Sequence, residues 1–109
     1  MNAFQPKGNI ASFTGATSAP TSVQSNGPDS QNAQQYILIN TSTSIDCTVG
    51  WGQSDDEAKL NAAAGAAVVN CYFLMHGTQV CITGPVNAYF TGITASSTAV
   101  VKIQAGIVN

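Results

Sequence analysis

Between Ser44 and Trp51 the chain alternates without a break: Ile45, Cys47, Val49 and Trp51 fall on one side, Ser44, Asp46, Thr48 and Gly50 on the other. A period of two puts successive side chains on opposite faces of a strand, whereas a helix would scatter those four apolar groups around its circumference. The segment therefore reads as a half-buried β-strand. Short β-branched or aromatic runs repeat the message at Tyr36–Thr41, Val68–Met75, Thr78–Thr83, Ala88–Ile93 and Thr98–Ala105. Turn residues punctuate them at His76-Gly77, Gly84-Pro85 and Ala95-Ser96-Ser97, as expected for antiparallel strands joined by tight connections. With 109 residues there is room for one core. The expectation is an all-β, antiparallel β-sandwich whose core spans residues 36–109.

Residues 1–35 have a different character. They are rich in Ser, Thr, Ala, Gln and Asn, with Pro6, Pro20 and Pro28 interposed, and read as an N-terminal arm with weak edge strands at Asn9–Thr14 and Thr21–Gln24. Proline is tolerated at a sheet edge, where pairing can come from another molecule. The arm is therefore expected to be ordered by pairing with a neighbouring subunit or with a larger assembly to which the protein binds, and to be largely dispensable for folding. Ser25–Ala33 reads as a flexible loop.

One short helix is expected. Ser54-Asp55-Asp56-Glu57 has the form of a capping box, and its acids suit a helix N-terminus. Ala58–Ala64 continues it and Gly65 can stop it. A calcium loop would need alternating oxygen ligands and a closing glutamate at its twelfth position, which this segment lacks. Gly50-Trp51-Gly52 has neither the spacing nor the lysine of a phosphate loop and reads as the strand end before the helix. In Asn87–Phe90 the aromatics Tyr89 and Phe90 point to opposite faces, so one of them leaves the core of its own sheet.

Chemistry-bearing residues are scarce. The chain holds three lysines, no arginine, five acids and one histidine, for a net charge of −2, against a usual surface of roughly a quarter to a third charged residues. Ser, Thr, Asn and Gln replace them, and such a surface repels its neighbours weakly. Cys47, Cys71 and Cys81 form no CxxC pair and have no histidine pair to complete a zinc site. Each lies in an apolar or alternating run and is expected to act as a small buried hydrophobe. His76, beside Gly77, reads as a turn residue rather than a catalytic base. No catalytic group, cofactor or metal is expected. Leu60–Met75 is too short and too interrupted by Asn61, Gly65 and Asn70 to span a membrane, and no secretory signal opens the chain. The protein is expected to be made in a reducing cytoplasm and to have no membrane partner.

Several of these segments together resemble a known family. Phe4-Gln5-Pro6-Lys7-Gly8 with Phe13 and Ala19-Pro20, the Tyr36–Asn40 run, Gly50-Trp51-Gly52 before an Ala-rich helix, Asn87–Ile93 and Thr98–Val101 resemble the cement, staple or decoration proteins on the heads of short-tailed bacteriophages. The resemblance covers nearly the whole chain. It implies a sandwich of jelly-roll type, no catalysis, location on the virion capsid surface, and binding across joints between major capsid subunits. The cysteines and the polar loop at Ser25–Ala33 depart from that pattern.

The partners expected are the major capsid protein and further copies of this chain, as a homodimer or higher homo-oligomer. Candidate interface residues are Phe4, Phe13, Trp51, Tyr72 and Tyr89, with Trp51 read as either a core or an interface anchor. A carbohydrate-binding β-sandwich is the alternative; it would use Trp51, Tyr72 or Tyr89 as sugar-stacking platforms. Nucleic acid is excluded as a partner on charge, because phosphate neutralisation needs clustered Lys and Arg. A gel-shift titration of DNA and RNA at submicromolar protein and physiological salt should give no retarded band. A retarded band that fades steeply with added salt would refute this.

Overall fold

The computed structural model describes residues 4–6, 10–25, 35–64 and 70–108. Among the described residues, nine strands and one helix are arranged as two antiparallel sheets facing each other. In chain order they are β1 (Phe4–Pro6), β2 (Ala11–Gly15), β3 (Val23–Gln24), β4 (Gln35–Asn40), β5 (Cys47–Gly52), α1 (Asp55–Ala64), β6 (Cys71–Leu74), β7 (Gln79–Thr83), β8 (Tyr89–Ile93) and β9 (Ala99–Val108). The first sheet runs β1-β9-β4-β7, with β2 beside β1 on the same side of β9. The second runs β3-β8-β5-β6. The expected all-β sandwich with one short helix is what forms.

The pairing is nested. β2 pairs with β9, β3 with β8, β4 with β7 and β5 with β6, while β4–β9 and β5–β8 join neighbouring pairs within each sheet. Alternation then decides what faces inward. Tyr36, Leu38, Val49, Leu74, Phe90, Val101 and Ile103 are fully buried between the sheets. Tyr36 meets Phe90 edge-on at 5.0 Å and Trp51 lies 6.3 Å from Phe90, aromatic geometries that add to plain area burial. The Tyr36 hydroxyl donates to Pro85 O and accepts from Ala88 N, and burial pushes its pKa up.

The N-terminal segment departs from expectation. Its strand β2 pairs along Ala11–Gly15 with Ala99–Ile103 of the same chain, and Phe13 is one of the buried core residues. Pairing of this segment is made intramolecularly, and it contributes Phe13 to the core. Short, proline-flanked strands can join a sheet edge whichever chain supplies it, which is why sequence alone left that choice open. Most of the Ser25–Ala33 loop, and Gly65 as a helix stop, lie outside the described residues.

Asn40 is buried among apolar groups, a position that costs free energy unless its amide is paired. Its Nδ2 donates to Ile45 O at 3.0 Å and Leu74 O at 3.1 Å, and its Oδ1 accepts from Ser42 N at 3.0 Å. One side chain therefore ties the end of β4 in one sheet to β6 in the other.

The helix starts as its capping residues predict, with Glu57 N donating to Ser54 Oγ at 3.2 Å. Ala58 and Ala62, one turn apart and buried, face the outer side of β5. Gly50 and Gly52 meet them. A Cβ on Gly50 would overlap Ala62 N and lie 2.7 Å from Ala58 O, and one on Gly52 would lie 2.5 Å from Glu57 Cγ. Asn61 Nδ2 fastens the contact by donating to Trp51 O at 2.7 Å. Gly50→Ala should cost about 3 kcal/mol, because backbone rather than a mobile side chain must move. Denaturant unfolding measures it; a loss below about 1 kcal/mol would mean that α1 lifts off freely.

Candidate interaction surface

Among the described residues, the outer face of the β3-β8-β5-β6 sheet is covered on one side only. There α1 lies over β5, and residues 20–22 are tied beside it. Thr91 Oγ1 donates to Pro20 O at 2.8 Å, and Ser22 N donates to Asp55 Oδ1 at 2.7 Å. Asp55 also pairs with Lys59 at 3.2 Å. The Ser22 hydroxyl and N–H, and after them Lys59, hold the Asp55 carboxyl down at about 2. Only the N–H has hydrogen-bonding geometry, since Ser22 Oγ has no hydrogen-bond partner; the hydroxyl acts as a nearby dipole.

Away from the helix the same face is open. Thr48 and Ile93, opposite each other in register, share a groove of about 450 Å³ with Phe73, the Ser44–Asp46 segment and the Thr94–Ser96 segment. It combines aliphatic and aromatic carbon with a hydroxyl rim and one carboxylate, and none of its lining residues is a lysine. Asp46 accepts from His76 N at 2.8 Å and lies 2.7 Å from His76 Nδ1. Those contacts, the backbone N–H first, hold the Asp46 carboxyl below its ordinary value. Both side chains are more than a third exposed, so the pair contributes little stability. It fastens the β6–β7 turn to the start of β5, consistent with a turn role for His76.

The sequence candidates separate into groups. Phe13 and Trp51 are 5% and 4% exposed, so Phe13 as an interface residue is corrected to a core residue, and of the two readings of Trp51 the structure has the core one: each lies on the inward side of its strand. Tyr89 is half-buried while its neighbour Phe90 is fully buried, the split expected of adjacent strand residues. Phe4 lies in β1 opposite Val108, its side chain outside the described residues. Tyr72 stays available at 44% exposed. Reading from sequence missed Phe73 and Met75, which are 59% and 52% exposed and flank the buried Leu74. The run around them is apolar at nearly every position, so it carries no alternation; only its register against β5, Cys47 to Leu74 and Thr48 to Phe73, tells inward from outward.

The cysteines divide as well. Cys47 is buried, and burial pushes its thiol up to about 11. Cys71 is half-buried, and Cys81 is exposed, correcting the expectation that all three are core residues. Cys81 lies opposite Ile37, on the outer face of the other sheet, and its neighbours Gln79 and Thr83 are exposed with it. Among the described residues, no group of three or more His, Cys, Asp or Glu side chains is placed to hold a metal ion. No described helix is long and apolar enough to cross a membrane. No protein-family model, curated protein or solved structure matches the chain.

Asp55 generates a pH prediction. Its folded-state pKa, about 2, lies below the ordinary 3.8, so folding favours the ionised form. That stabilisation is fully present above about pH 4 and is lost as pH falls through about 2. Asp55→Asn keeps an oxygen for Ser22 N–H but removes the charge. Its melting temperature should lie below wild type at neutral pH, with the gap closing between about pH 4 and pH 2. A gap that persists at the acid end would assign the loss to shape rather than charge.

Proposed function

We propose that the protein is a non-enzymatic virion structural protein that binds the outside of a bacteriophage capsid and staples neighbouring major capsid subunits. The observation that carries this reading is the exposed apolar edge of β6. There Tyr72, Phe73 and Met75 stand out from a surface with little charge to repel a neighbour. Nested pairing of β2–β9, β3–β8, β4–β7 and β5–β6 across two sheets supports the jelly-roll expectation that accompanies it.

The carbohydrate-binding alternative is weakened on specific grounds. Of its three stacking platforms Trp51 is buried and Tyr89 half-buried, which leaves Tyr72.

Few charges mean that such a joint rests on apolar burial and on backbone and amide hydrogen bonds. Particles carrying the protein should therefore retain it through a wash in about 1 M salt, where the Debye length is roughly 3 Å. Replacing Tyr72 with Ala should weaken attachment by about 2 kcal/mol if the ring is a central anchor. Complete release by salt alone, with the protein still folded, would sink the proposal. Binding of the isolated protein to glycans but not to capsids would favour the alternative.

A further inference from the structure

Sheet edges are protected in folded proteins because an unpaired row of N–H and C=O groups recruits another strand. Among the described residues four other edge strands carry some protection: β1 contains Pro6, β2 exposes the polar Ser12 and Thr14, β3 is only two residues long, and β7 exposes the polar Gln79 and Thr83. The β6 edge is different. Asn70–Met75 contains no charged residue and no proline, and three of its large apolar side chains are exposed.

Register fixes which backbone groups β6 offers. Trp51 N donates to Asn70 O at 3.1 Å, so Trp51 and Asn70 form a hydrogen-bonded pair. In an antiparallel ladder such pairs alternate with non-bonded ones. Val49–Tyr72 and Cys47–Leu74 are then bonded pairs, and Thr48–Phe73 is a non-bonded one. The N–H and C=O of Phe73 therefore point away from β5, toward the side on which no described strand pairs with β6.

We propose that β6 is a self-pairing edge: a second copy of this chain adds its own β6 antiparallel about a two-fold axis at Phe73, joining two four-stranded sheets into one. At the axis Phe73 N–H of each copy donates to Phe73 C=O of the other. The backbone ladder is confined to that pair, because Met75 O already accepts from Thr78 N at 3.2 Å and from Thr78 Oγ1 at 2.6 Å, and the rest of the contact is side-chain packing. Tyr72 then lies opposite the second copy's Leu74, and the two Phe73 rings meet on the outer face beside the grooves. A second copy suits this edge because the edge is uncharged, so identical surfaces meet without like-charge opposition. The contact is also isologous and uses up both edges, so it closes as a dimer and does not propagate as a fibre. This inference does not depend on the capsid reading; where both hold, the second copy takes the β6 backbone edge and Phe73, and the capsid contact falls to Tyr72, Met75 and the outer-face grooves.

The test uses the full chain under reducing conditions, with mass measured by light scattering and sedimentation. Wild type should be a dimer at about 100 µM, a concentration above the micromolar dissociation constants typical of modest interfaces. Phe73→Lys should raise the dissociation constant at least about thirtyfold, with circular dichroism unchanged. Val100→Lys, at an exposed position on the other sheet, should leave the dimer intact. Register is tested by Phe73→Cys in a Cys71→Ser, Cys81→Ser background. Hydrogen-bonded partners lie about 5.5 Å apart at Cα, within disulfide reach, so mild oxidation should link the chains. A monomeric wild type, a dimer indifferent to Phe73→Lys, or a dimer that Phe73→Cys fails to cross-link would each overturn the proposal.

Discussion

The absence of side chains at Gly50 and Gly52 is the constraint on which the surface of this protein depends. Only with hydrogen at those positions can α1 approach β5 closely enough for Ala58 and Ala62 to be buried and for Asn61 to reach Trp51 O. The helix then supplies Asp55 as an anchor for Ser22, and so fixes the segment between β2 and β3. Its short length leaves Thr48, Phe73 and Ile93 uncovered. A longer helix, or a β-branched residue in place of Gly50, would either hide that half of the sheet or lose the cover altogether.

Hydrogen bonds from uncharged groups take over work that ion pairs share in more highly charged proteins. Asn40 spans the two sheets, the Tyr36 phenol joins the loop before β8, and the Thr94 hydroxyl donates to Ser97 O at 2.7 Å to brace the turn before β9. The described charged contacts, Asp55 with Lys59 and Asp46 with His76, lie at the surface. A core held by amides, hydroxyls and aromatic contacts is indifferent to salt, and it leaves the exterior free to be smooth and nearly neutral.

Legibility in the sequence tracked contrast between neighbouring residues. Cys47–Trp51 could be read because polar and apolar side chains alternate there, and the helix start because Ser54 and Glu57 have the spacing of a cap. The run leading to Met75 could not be resolved into faces, since nearly all its side chains are apolar and a strand at the rim buries some and exposes others. Trp51 and Phe13 were ambiguous for the opposite reason: a large aromatic serves equally well in a core or at a joint, and only the partner strand decides. Gly50 was legible as a strand end but not as a landing place for a helix, because close approach is a relation between two segments. Asn40 gave no signal, as its value lies in carbonyls that tertiary structure brings to it.

Nested pairing also shapes the route by which such a chain acquires its structure. Joining β2 to β9 directly would close a loop of nearly the whole chain before any contact rewarded it, and loop closure costs entropy that grows with length. From a preformed β5–β6 and β4–β7 centre, each outer pair has only a short span left to close, and the ribbon can zip from its middle toward its ends. On that route the ladders that β1 and β2 make with β9 are the last to form and, by reversal, the first to open. The inward ring of β2, Phe13, is the latch whose release precedes the rest. A topology this rich in distant pairings belongs among the slower folders of its size.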